Sequence, residues 1–174
     1  KRIMHNLHPA ILEQGLVAAL QWMGARFEKR TGVSCTFRTS HEVMQLPSGV
    51  PLVAYRTAQE ALTNITKHAN ATRVSVDLSL AGGVLSLEIS DNGIGLRDAD
   101  LAKARSFGIR GLHERASTVG GWVDLASSRQ GTTLILSVPL SAEAHGYSSE
   151  FGPDAEDTHP PFEDSADPSV WGGL

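Results

Sequence analysis

The stretch "AQEALTNITKHAN", Ala58 to Asn70, decides how the chain is read. At about 100° per residue, Glu60, Asn64, Lys67 and His68 fall within roughly a quarter-turn of one helix. Ala58, Ala61, Leu62, Ile65 and Ala69 gather on the other side, which gives the helix an apolar face for a core. The polar face offers a carboxylate, a carboxamide, an ammonium and an imidazole to whatever lies above it. Taken alone, a solvated face of an amphipathic helix has the same pattern, so the neighbouring segments must separate the two readings.

Working outward, "PSGVP" breaks the chain and Pro51 suits the first turn of this helix, which continues to about His68. Further upstream a helical pattern runs from about Ile11 to Arg30, with Leu16, Ala19, Leu20, Met23 and Phe27 on one face, and Gly32 ends it. Two short strand-like runs follow, Ser34 to Thr39 and Val43 to Leu46. Downstream, "RVSVDLSL" and "VLSLEIS" alternate in period two about Gly82-Gly83, a hairpin signal. Asp91 to Gly111 reads as neither strand nor long helix, and Leu112 to Val119 looks helical. A strand "WVDLAS", a turn "SRQG" and a last strand "TTLILSV" close at Pro139. The expected fold is α+β: a two-layer sandwich whose mixed, mostly antiparallel sheet carries about three helices on one face.

A chain of 174 residues, 41% hydrophobic and 20% charged, suits one domain with a proper core. No apolar run approaches the ~20 residues of a membrane span, and Lys1 opens no signal-peptide pattern. The single cysteine, Cys35, has no internal disulfide partner and is expected to pack in the core, in a reducing, cytoplasmic setting. From Ser141 onward there are eight acids and no Lys or Arg, which leaves eleven acids against fifteen bases before it. That mildly basic body suits an anionic small ligand and is too weak for nucleic acid. The expected organisation is a junction over residues 1–12, a packed domain over 13–140 and an acidic, flexible tail over 141–174.

Two glycine clusters carry the remaining chemistry. "DNGIG", Asp91 to Gly95, follows a hydrophobic strand, yet "LRDADLAKARS" after it does not alternate as a returning hairpin strand would. A buried Asp at a strand end can accept a hydrogen bond from an exocyclic amine, and glycines let a flat ring approach the backbone. Adenine offers that amine; guanine offers a carbonyl oxygen there, and two facing acceptors in a dry pocket repel the ligand. In "FGIRG", Gly108 and Gly111 stand at the entrance of a helix, where free N–H groups suit phosphate. A plain loop needing positive φ angles would read the same way. The chain has no GxxxxGK[ST] loop and no GxGxxG fingerprint.

In order, "QEALTNITKHA", "DNGIGL", "FGIRGLHERA" and "GTTLILSVPL" form one pattern. It resembles the ATP-binding catalytic domain of sensor histidine kinases, in the subgroup that pairs with response regulators of the nitrate-regulator type. The superfamily also holds DNA gyrase, the mismatch-repair ATPases and the heat-shock chaperone ATPases. The resemblance covers about Leu7 to Leu140. It implies that Asn64 ligates Mg²⁺ and that Lys67 and His68 face phosphate. Glu60 polarises or holds a water on the metal, and Asp91 reads adenine. Gly93, Ile94 and Gly95 shape the pocket, and Thr132 or its neighbour Thr133 supports the adenine contact. Residues from about Leu96 to Phe107 form a lid with Gly108, Arg110, Gly111 and Leu112 at its far hinge.

The implied activity is transfer of the γ-phosphoryl group of Mg-ATP to a histidine on a dimerisation hairpin, within two-component signalling. None of the seven histidines has the expected setting of a phosphoacceptor. "LHPAILEQGLVAAL" instead resembles the junction where that hairpin ends, so the chain reads as a catalytic domain separated from its hairpin and expected to be a monomer. The pair His5 and His8 lacks further metal ligands. The competing readings are an anti-sigma-type serine kinase and a nucleotide-binding interaction module without transfer activity.

Overall fold

A computed structural model of the chain describes residues 8–68, 70–104 and 109–140. A 3-10 turn, Ala10–Gln14, precedes α1 (Leu16–Thr31), β1 (Ser34–Thr39) and α2 (Val50–His68). The hairpin β2 (Arg73–Ala81) and β3 (Val84–Asp91) follows, then α3 (Asp98–Lys103), α4 (Arg110–Ser117), β4 (Trp122–Ser128) and β5 (Gly131–Pro139). The strands form one sheet in the order β1-β2-β3-β5-β4. Only β1 and β2 run parallel, joined by the crossover helix α2 that a parallel pair requires. The remaining neighbours are antiparallel. This is the expected α+β sandwich.

Period two sets the layers. Val74, Val76 and Leu78 of β2, Leu85, Leu87 and Ile89 of β3, and Leu134, Leu136 and Val138 of β5 are all buried beneath the helices. Their alternates, such as Ser75, Glu88 and Ser137, lie on the other face and are partly or fully exposed. From α1 the five positions expected from periodicity, Leu16, Ala19, Leu20, Met23 and Phe27, are all buried. Ala58, Ala61, Leu62 and Ile65 do the same for α2, and Leu112 and Ala116 for α4.

Two local expectations are corrected. The first helix does not start at Ile11: Gly15, at φ 99°, separates the 3-10 turn from α1. Leu12 of that turn is buried with the core residues. Val43 to Leu46 forms no strand, and Val43 is 82% exposed. The Ser40 hydroxyl accepts the Leu80 N–H, and Thr39 Oγ1 donates to the His41 carbonyl. These side chains replace the ladder and turn the chain away from β2. The other end of α1 is as expected, with Gly32 in the left-handed region (φ 75°) and its N–H bonded to the Glu28 carbonyl.

Cys35 packs against α1, where a Cβ on Gly24 would stand 3.2 Å from its sulfur. Burial, with the Glu28 carboxylate second, pushes its thiol up to about 11. The thiolate is the nucleophile, so alkylation by iodoacetamide at pH 8 is expected to run about a hundredfold slower than for an exposed thiol. Full reactivity should return in denaturant. Equal rates in the native and denatured protein would contradict the burial. No helix of the described residues is long and apolar enough to cross a membrane. The tail from Ser141, the segment before His8, Gly108 and the side chain of His68 lie outside what is described.

Candidate functional site

The alternation that buries Leu87 and Ile89 also turns Asp91 inward, because it is the next residue in phase on β3. Asp91 is 9% exposed, and its Oδ1 accepts the Gly93 N–H at 2.8 Å. Asn92 faces the other way and ties this turn to the start of β2. Its Oδ1 accepts the N–H groups of Thr72 (2.9 Å) and Arg73 (2.8 Å), and its Nδ2 donates to Thr72 Oγ1 (2.8 Å). The segment leaving α2 and the strand end bearing Asp91 are thereby held together.

Between α2 and the sheet lies a cavity of about 230 Å³. Asn64 and Ile65 of α2, Asp91 of β3 and Thr132 of β5 line it, with Gly95 and Leu96 of the glycine loop. Ile89, Leu125 and Leu134 supply apolar lining from the sheet. Thr132 and Thr133 are now told apart. Thr132 is in phase with Leu134 and lines the cavity, whereas Thr133 bonds to Ser90 at 2.9 Å on the opposite face. The glycine loop presses on the β4–β5 turn, since a Cβ on Gly95 (φ 73°) would collide with the Ser128 carbonyl. A wider depression lined by Ile94, Arg97, Asp100 and Lys103 opens beside the cavity, and Gly95, Leu96 and Ala104 border both.

A family model described as "Histidine kinase-, DNA gyrase B-, and HSP90-like ATPase" matches residues 49–142. The chain belongs to this ATPase family. Over 138 residues it is 34% identical to the oxygen sensor histidine kinase NreB of Staphylococcus carnosus, an alignment covering 78% of this chain and 40% of that protein. Over 146 residues it is 34% identical to the sensor histidine kinase MctS of Rhizobium johnstonii, covering 82% of this chain and 32% of that protein. The chain thus spans well under half the length of these relatives. In fold it is similar to the histidine kinase domain of a blue-light-activated kinase of Erythrobacter litoralis, with a TM-score of 0.59 at 20% identity over 75% of this chain and 63% of the other. The matched region is the ATP-binding domain of the sensor histidine kinase type.

Within this ATPase domain the expected residues divide. Asn64, Asp91, Gly95 and Thr132 line one cavity, and Gly93 is buried beside it. Ile94 is 68% exposed and borders the wider depression instead. Lys67 is exposed on the same helix as Asn64. Glu60 is held by Arg115 of α4, with Nη1 at 3.3 Å from Oε2. Arg110 pairs with Glu114 of its own helix at 3.6 Å, both at the surface. Gly111 opens to free space, and Leu112 is fully buried as a core side chain.

Sequence reasoning missed Ser127, Gly131 and Asn92. The "GTTL" run contains Gly131, but nothing in it shows that a Cβ there would strike the Asp91 carbonyl. Asn92 read as a turn residue, and its bonds to residues 72 and 73 carry no local signal.

Proposed function

We propose that this domain binds Mg-ATP and presents its γ-phosphoryl group to a histidine on dimerisation helices of the same kinase, in the cytoplasm. A response regulator would then take the phosphoryl group from that histidine. The observation that carries the reading is the common cavity lining made by Asn64, Asp91, Gly95 and Thr132, residues drawn from four separate segments. Its volume lies below the ~300–1,000 Å³ of pockets that enclose a drug-sized ligand. It suits one base, with sugar and phosphates left to the adjoining depression.

Asp91 accepts from the exocyclic amine of adenine, while the Gly93 N–H holds its other oxygen in place. Lys67 offsets phosphate charge from the exposed face of α2. Among the described residues no three His, Cys, Asp or Glu side chains form a metal cluster. The Asn64 amide oxygen, together with phosphate and water oxygens, offers Mg²⁺ the hard ligands that ion prefers. When bound, the ion supplies neutralisation of phosphate charge. Glu60, oriented by Arg115, holds a water beside it. The chain's contribution to transfer is positioning and electrostatics rather than covalent chemistry.

Calorimetric titration with ADP, with and without Mg²⁺, tests this reading. The expected result is micromolar binding that Mg²⁺ tightens by about tenfold, roughly 1.4 kcal/mol. The Mg²⁺ increment should vanish in Asn64→Ala, leaving the metal-free affinity nearly unchanged. A folded wild-type protein that binds no ADP would end the proposal.

A further inference from the structure

Between α1 and α2 lies a second cleft, of about 270 Å³, that shares no residue with the cavity beside Asp91. Trp22, Arg26 and Arg30 line it from successive turns of α1, and Tyr55, Gln59 and Leu62 line it from α2. Tyr55 and Leu62 are buried and give it an apolar floor, while Trp22 stands half-exposed at its edge. The Arg26 guanidinium lies over the Trp22 ring, 4.8 Å from its centroid.

The charge of this cleft is unbalanced. No acid is among its described lining residues, and neither Arg26 nor Arg30 pairs with a carboxylate of the described residues. The two guanidiniums stand four residues apart on one helix, where like charges repel. An apolar floor beside two unpaired cations suits an aromatic side chain followed by carboxylates.

The chain itself carries that chemistry. From Ser141 onward it holds eight acids and no Lys or Arg, and "PFEDSADPSVW" sets Phe162 directly before Glu163 and Asp164. The described chain leaves the sheet at Leu140, whose N–H bonds to the Gly83 carbonyl. Residues 141–160 then separate it from Pro161. Those residues can extend over roughly 65 Å, against about 24 Å for the whole length of α1. Reach therefore does not limit the contact.

We propose that residues 161–171 dock in this cleft, with Phe162 on the apolar floor and Glu163 and Asp164 facing Arg26 and Arg30. The proposal is independent of the nucleotide reading above.

Trp22 reports the contact. In the full chain carrying Trp122→Phe and Trp171→Phe, its fluorescence is quenched with acrylamide at low salt. A tethered segment acts at an effective concentration near millimolar, so quenching should be about threefold weaker with the native acids than with Glu163→Lys and Asp164→Lys together. Adding Arg26→Glu and Arg30→Glu to that reversed segment should restore the protection, a rescue that unfolding cannot produce. Equal quenching with native and reversed acids would overturn the proposal and leave the cleft to a separate acidic partner. Protection that grows between about 5 and 200 µM protein would also overturn it, because a segment held in the same chain is insensitive to dilution and the acids would belong to a second copy.

Discussion

Gly131→Ala is expected to lower the melting temperature by more than about 10 °C, equivalent to about 4 kcal/mol or more. A Cβ at this position would collide with the Asp91 carbonyl oxygen, 2.8 Å from the carbonyl carbon and 3.1 Å from the Asn92 Cα. All three are backbone atoms, so no rotamer change relieves the overlap. The φ of 134° adds strain that only glycine avoids. Relief requires β5 to part from β3 or the Asp91 turn to shift, so nucleotide affinity should fall with stability. Gly120→Ala is the control: its φ is 73°, but no atom lies within 4 Å of the added Cβ. That substitution should cost only the left-handed backbone term, about 1–2 kcal/mol. Thermal melts followed by circular dichroism decide the matter; two variants melting within about 3 °C of each other would show that the predicted collision carries no extra cost.

Asp91→Asn should abolish most nucleotide binding while leaving the fold nearly intact. The amide oxygen can still accept the Gly93 N–H, as the native carboxylate does. The other position becomes an NH₂ donor, which then faces the amine donor of adenine. Leaving that pair unsatisfied in a buried site should weaken ADP by about a hundredfold, some 3 kcal/mol, with GDP affected far less. The measurement is calorimetric titration with both nucleotides beside a melting curve. An ADP affinity within about threefold of wild type would remove Asp91 from base recognition.

Much of this domain was legible because its code is local. The period of α2 announced both its buried stripe and its polar face, and Asp91 was inward by the same alternation that buries Ile89. Leu112 is a core side chain, and Ile94 borders the adjoining depression rather than the cavity that Gly95 lines. Val43 to Leu46 failed as a strand because the hydroxyls of Thr39 and Ser40 ended the ladder before it.

The sequence by itself determined most of the elements, the buried phase of the principal helices and strands, and the motifs that mark the family. It could do so because helix and strand faces recur at fixed short spacings along the chain. The tertiary structure alone decided that Thr132 rather than Thr133 reaches the cavity, that Ser127 bonds to Leu96 across 31 residues, and that Asn92 bonds to Thr72 across 20. It also decided why Gly131 admits no side chain. Those contacts depend on strand register and on how distant segments are brought side by side, and neither leaves a periodic mark in the sequence.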